Sequence, residues 1–353
     1  MNMRIAGTAC LLVIAATALS ATSSAPPSTV QSYDTYRSWF VACDNTLACV
    51  AKGFSDAGGG SELRIERAAG PKGIISASIS AERPFALADV RIDGKPAGLA
   101  ARAWGLTVAE GETSVATDDL GVIRAFVQTL RNGTKLTFGG DEEIPLDGFA
   151  AAMLRMDERQ GRLGGVTAVL RTGSLPASRV PAPPPLPRIP NHPIASRLAP
   201  GEDQHLIAAV RKSQTSVFDK EECGETPAKP EAHALDGGQA LVLIPCIMGA
   251  YQGSSLAFIA SRAGGTARRL VAPTPYLGNE TDHAEAVYLT DSVFDPETGT
   301  LSMAAKGRGM ADCGTSASWI WTGAAFRLSE MTLQKSCGGV EPGDWPTLFR
   351  SVR

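Results

Sequence analysis

The sequence predicts a mainly β protein with a few helices (α+β), built as two disulfide-stapled β-rich domains joined by a proline-rich linker. Thirty-seven glycines and 23 prolines against only 6% aromatic residues favour many turns and short strands over long helices. Six cysteines lie beyond the N-terminal apolar run, an even number that suits a stapled, exported chain. The run PAPPPLPRIP at 181–190 cannot join a packed sheet and divides the chain.

At 353 residues the chain exceeds one typical domain. Its formal net charge of -3 gives no basic footprint, which argues against nucleic acid as a partner. Residues 1–25 read as a secretory signal. Arg4 is a minimal positive start, and Ile5 to Leu19 is an apolar run too short to span a bilayer comfortably. Ala16-Thr17-Ala18, Ala18-Leu19-Ser20 and Ser23-Ser24-Ala25 all offer cleavage sites. Cys10 lies inside the run and leaves with it. No later stretch is long and apolar enough for a membrane span, so the expected location is periplasmic or secreted.

The remaining cysteines are Cys43, Cys49, Cys223, Cys246, Cys313 and Cys337. Six permit fifteen connectivities, and proximity along the chain favours Cys43–Cys49, Cys223–Cys246 and Cys313–Cys337. On the chain-entropy model the first loop contributes roughly 2–2.5 kcal/mol and the other two about 3.5 each. Oxidised cysteines leave little for zinc. His192, His205, His233 and His283 form no HExxH or similar close pair, so neither metal nor cofactor is expected.

The first domain is assigned to residues 33–175. Trp39, Val41 and Cys43 alternate along a strand, Asp44-Asn45 turns the chain, and Ala48 to Ala51 begins the return. Leu63 to Glu66, Ile74 to Ser80, Val90 to Ile92 and Leu106 to Ala109 are further strands. A helix over Asp118 to Arg131 places Leu120, Ile123, Phe126, Val127 and Leu130 on one face. Thr117 or Asp118 caps it, and Asn132-Gly133 offers a left-handed stop. A strand at Lys135 to Phe138 follows. The second helix, Leu146 to Gln160, turns Phe149, Met153, Leu154 and Met156 inward, and Val166 to Leu170 reads as a closing strand.

The linker is assigned to 176–198. As polyproline II, ten such residues span about 30 Å. The plain reading is a semi-rigid spacer, with Arg179 and Arg188 as exposed cleavage points. The second domain is assigned to 199–353. Glu202 to Lys212 forms a helix with Leu206, Ile207 and Val210 inward. Ala240 to Cys246, Leu256 to Ala260, Ala286 to Leu289 and Leu301 to Ala305 form strands, and Asp295 to Gly299 a turn. Trp319-Ile320-Trp321 and Phe326-Arg327-Leu328 form a hairpin about Thr322-Gly323. Asp344 to Arg350 folds back.

Candidate chemistry is sparse. There is no GxSxG elbow, P-loop or dinucleotide fingerprint. The most suggestive feature is Lys306-Gly307-Arg308-Gly309, followed by Asp312-Cys313. Glycines let a backbone approach a ligand, and two cations hold a carboxylate or phosphate. The plainer alternative is that the glycines serve turn angles and Asp312 neutralises the cations. Tyr251 and Gln252, soon after Cys246, add a candidate stacking surface and polar contact from an opposite wall.

These segments resemble a family of exported bacterial proteins described as domain of unknown function 1176. The resemblance rests on CDNTLACVAKG at Cys43, RMDERQGRLGGVTAVLRTG at Arg155, IPCIMGAYQGSS at Ile244, AKGRGMADCG with WIWTGAAFRL, and WPTLFR at Trp345. All six cysteines match its pattern. It implies a fold and a compartment, with no activity. The first half more loosely resembles invasion-associated locus B proteins, through Trp39 before Cys43, LRNGTKLTF and LDGFAAAMLRM. The favoured reading is a non-enzymatic exported binding protein whose partner is a periplasmic or extracellular protein or a small anionic ligand. An inhibitor of a cell-wall hydrolase such as lysozyme comes second. A hydrolase with an unrecognised site comes third, because triads are defined by geometry rather than by sequence order.

Overall fold

A computed structural model describes residues 30–55, 59–109, 111–139, 142–277, 285–339 and 343–353. The signal segment with Cys10 lies outside the described residues, as does His283. The fold is mainly β, and the three disulfides join Cys43–Cys49, Cys223–Cys246 and Cys313–Cys337. No helix among the described residues is long and apolar enough to cross a membrane.

Before the proline-rich segment, a seven-stranded antiparallel sheet runs in the order Ser32–Tyr36, Trp39–Cys43, Cys49–Phe54, Glu62–Arg67, Ile75–Ala81, Glu112–Thr117, Gly105–Ala109. Strand alternation gives it two unlike faces. Ile75, Ala77, Ile79 and Ala81 are buried on the inner face, whereas Ser76, Ser78 and Ser80 are half-exposed on the outer one. The inner face packs into one core with helices α1 (Leu120–Leu130) and α2 (Phe149–Arg159) and a small sheet carrying Val90, Leu136 and Ile144. Asp119, rather than Thr117 or Asp118, caps α1 by accepting the Val122 N–H.

Three expectations for this half are corrected. Arg131 ends α1 in right-handed conformation, and neither Asn132 nor Gly133 has positive φ. Gly133 is needed instead for close packing, since a Cβ there would sit 2.8 Å from Ile92 and Leu146 side-chain atoms. Leu154 is exposed, because the buried stripe of α2 runs through Phe149, Ala152, Met153 and Met156. Val166 to Leu170 is not a strand. Its backbone groups are taken by side chains: Asp157 accepts the Val169 and Leu170 N–H groups, while Arg124 and Gln128 bind carbonyls from 166 to 170. The strand Glu112–Thr117, absent from the sequence reading, has too few apolar side chains to stand out.

After the proline-rich segment, strand Gln239–Met248 is buried on both sides. Ala240, Val242 and Ile244 lie under helix α3 (Glu202–Ser213) and the short α4 (Thr215–Lys220). Leu241 and Leu243 face a second sheet, whose order is Val293–Asp295, Thr300–Lys306, Gly314–Trp321, Phe326–Gln334, Thr347–Arg350. The layers are therefore helix, sheet and sheet. The expected strand Ala286 to Leu289 divides into two-residue pairs, Glu285–Ala286 and Leu289–Thr290. The hairpin about Thr322-Gly323 is present, with Gly323 at φ 85.

The outer face of the seven-stranded sheet is half covered. Tyr33, Phe40, Ala42, Val50 and Phe54 form a core with Leu277 and Leu348. Beside it Lys52, fully buried, donates to the Asp344 carbonyl (2.9 Å) and carboxylate (3.1 Å) and lies 3.3 Å from Glu62. Asn45 exchanges hydrogen bonds with the Arg350 backbone. The proline-rich segment is tied to the later half: the Ile189 N–H donates to Val352 O at 2.8 Å, the Val352 N–H donates to Pro187 O at 2.9 Å, and the His192 and Ile194 N–H groups donate to the Thr298 and Pro296 carbonyls.

Those bonds set the cleavage pattern expected in limited trypsinolysis. Arg188 precedes the pinned Ile189, whereas Arg179 ends a short exposed turn. Cleavage should occur first at Arg179, and the two fragments should co-elute in size exclusion until denatured. Prior cutting at Arg188, or fragments that separate without denaturant, would contradict this docking.

Candidate functional site

The basic turn closes the antiparallel pair Thr300–Lys306 and Gly314–Trp321, where Lys306 stands opposite Gly314. Within it the Gly307 N–H donates to Cys313 O (2.8 Å) and the Ala311 N–H to Arg308 O (2.9 Å). A Cβ on Gly307 would lie 2.5 Å from the Cys313 sulfur, so the disulfide requires glycine here. A second loop, 249–252, meets this turn. Gln252 accepts the Lys306 N–H at 2.9 Å and donates back to Lys306 O at 3.0 Å, as a neighbouring strand would. The Tyr251 ring lies over Gly309, where an added Cβ would be 3.8 Å from it.

The structure thus brings Tyr251, Gln252, Lys306, Arg308 and Asp312 together. Their roles differ. Arg308 Nε donates to Asp312 Oδ1 at 2.7 Å, and Nη2 engages the other oxygen. Asp312 is fully buried and also accepts the Gly339 N–H at 2.6 Å. The Arg308 guanidinium holds the Asp312 carboxyl below its ordinary range. Arg308 is therefore committed to an internal ion pair. Lys306 is half-exposed, while Tyr251 (49%) and Met310 (56%) present apolar surface, with Ile247 and Met248 exposed at the end of strand Gln239–Met248. Asp312 lies close to the sulfurs of Cys313 and Cys337. Both sulfurs are spent in a disulfide and offer no thiolate to a metal, so this donor set does not fit one.

Trp345 connects this turn to a feature that the sequence reading missed. Its indole N–H donates to Ala311 O at 3.2 Å, and its ring helps line a cleft of about 520 Å³ at the junction. The cleft runs between the sheet residues Arg64, Glu66 and Ser76 and the returning segment Asp344 to Arg350. Arg64 bridges Asp344 and Glu66, and Arg350 pairs with Asp44 at 2.7 Å. Its walls lie almost 300 residues apart in sequence, beyond the reach of local spacing. The available signal was Lys52, Arg64 and Glu66, charged side chains inside otherwise strand-like runs.

Comparison with known proteins gives a family and no activity. A family model described as "Protein of unknown function (DUF1176)" matches residues 33–352. The "Uncharacterized protein YpfG" of Escherichia coli (strain K12) is 31% identical over 330 residues, covering 89% of this chain and 91% of that protein. No solved structure matches the chain.

Proposed function

The chain belongs to the DUF1176 family of proteins of unknown function, and we propose from its geometry that it is an exported, two-domain binding protein that recognises another protein through the Tyr251–Met310 surface. The carrying observation is the Gln252 clamp. Two side-chain hydrogen bonds fix the Tyr251 loop to the basic turn while Tyr251 and Met310 remain about half exposed. Cys246, near the end of strand Gln239–Met248, and Cys313, directly before strand Gly314–Trp321, are each held in a disulfide, so little ordering entropy is lost on binding. An exposed aromatic on a fixed frame suits a partner with a complementary apolar depression, and Lys306 suits an acidic group at its rim. The same exposed Tyr251 is what favours inhibition of a cell-wall hydrolase as a second reading, since such a side chain can enter an enzyme cleft.

The test compares the wild-type protein with the Tyr251→Ala/Met310→Ala variant as baits in a periplasmic extract, followed by titration of the captured protein. Both side chains are exposed, so the melting temperature should hold while affinity falls tenfold or more, the usual scale of an anchoring aromatic. Equal affinity for both baits would refute this surface. Arg308 is unsuited to the test, because its loss leaves Asp312 buried without its cation.

A further inference from the structure

The seven-stranded sheet ends on one side at Gly105–Ala109, which pairs only with Glu112–Thr117. All five of its residues are exposed, and no other described strand longer than two residues is exposed at every position. Native sheets blunt such an edge with charge, proline or a bulge. Gly105 to Ala109 carries neither charge nor proline, and its pairing runs without a register shift. The opposite edge differs. Strand Ser32–Tyr36 begins with buried Ser32 and Tyr33 and carries Asp34 in an ion pair with Arg155.

The strand is also self-complementary. Leu106 (51% exposed) and Val108 (65%) stand opposite Val115 and Thr113, so they extend the inner, apolar face of the sheet past its core. A two-fold axis normal to the sheet at Thr107 sets a second copy antiparallel. Leu106 then meets Val108 twice, Gly105 meets Ala109 twice, and Thr107 meets itself. Paired positions share parity, so both apolar residues stay on the inner face. The alternate residues whose N–H and C=O point outward likewise meet one another. The ends match as well. Exposed Arg102 precedes the strand and exposed Glu112 follows it, and neither side chain has a partner among the described residues. Antiparallel pairing brings the basic end of each copy beside the acidic end of the other.

We propose that Gly105–Ala109 is the docking edge for a second copy of this chain, giving a two-fold dimer in which the two sheets run on as one. The pairing closes after two copies and does not propagate into a filament. Five residues per copy bury less than the ~800 Å² per partner of a standard stable interface, so the dimer is reversible and depends on concentration. Sedimentation of the full mature chain from micromolar to millimolar concentration should show a monomer–dimer equilibrium. Val108→Lys should weaken it about tenfold or more, as a charge on an edge strand does, and leave the melting temperature unchanged because Val108 is exposed. Oxidative cross-linking reads the register. Thr107→Cys should give a cross-linked dimer readily, since the axis brings the two copies of that residue within disulfide range. Ala109→Cys should not, since its two copies would lie about four residues, or ~14 Å, apart along the strands. The proposal is overturned if the wild type stays monomeric throughout, which would leave the edge to an extended segment of another protein. It also fails if Val108→Lys dimerises as tightly, or if Ala109→Cys cross-links as fast as Thr107→Cys.

Discussion

Replacing Lys52 with alanine is expected to cost about 3–5 kcal/mol, the usual penalty for breaking a buried ion pair from one side. Lys52 is fully buried, and its ammonium contacts Glu62 and both the carboxylate and carbonyl of Asp344. Without it Glu62 is left as a buried anion beside Asp344, with Arg64 3.7 Å away as its remaining cation. Denaturant titration at pH 7 measures the loss, and a change below about 1 kcal/mol would mean that the ammonium contributes little. The pH dependence supplies an independent readout. Burial already raises the Glu62 carboxyl above its ordinary value, and Lys52 is the largest influence pulling it back. A carboxyl raised on folding adds stability below its unfolded value, near 4.3, and that stability is lost as pH rises through the folded value. The variant should therefore recover part of its deficit as pH falls from 7 to 5. Lys52→Met/Glu62→Gln should recover part of it at pH 7, because the double change removes both charges.

The second large effect is expected at Asp157, and Asp157→Ala should also cost about 3–5 kcal/mol. This carboxylate, on the last turn of α2, accepts the Val169 and Leu170 N–H groups at 3.0 to 3.1 Å. It also lies 3.8 Å from Arg67, a buried guanidinium whose Nε and Nη1 make no hydrogen bond. Burial, then the nearby Arg162, push the Arg67 pKa down to about 10. Alanine would leave two amides without acceptors and a buried cation without its counter-ion. Asp157→Asn should cost less, since it keeps one acceptor, and Arg67→Met in the alanine background should restore part of the loss. If Asp157→Ala and Asp157→Asn prove equally mild, loop 166–170 holds its shape without the carboxylate.

Local chemistry made much of the chain legible. Alternating Ile75, Ala77 and Ile79, the Phe149–Met153–Met156 stripe and the Thr322-Gly323 turn each encode their element within a few residues. Cysteine proximity likewise gave the three bridges. Val166 to Leu170 misled because its apolar residues meet a core through a loop held by distant side chains, which no period records. The turn residues Lys306 to Asp312 are recognisable from their glycines, and the Arg308–Asp312 pair joins opposite charges only four residues apart. Gln252 reaching Lys306, or Asp344 reaching Lys52, depends on how whole sheets stack. Pairings of that kind become visible only once the register of every strand is known.

The covering of Phe40, Val50 and Phe54 by Leu348 has a consequence for the order in which the chain matures. A ribosome makes the seven-stranded sheet well before the returning segment Asp344 to Arg350. Throughout that interval the sheet can close its inner core, yet its outer apolar strip and the Lys52 ammonium have no lid. The strip is then a sticky surface on an otherwise finished unit. Contacts separated by some 300 residues are slow to form, so the arrival of Asp344 to Arg350 is the step that shields this strip.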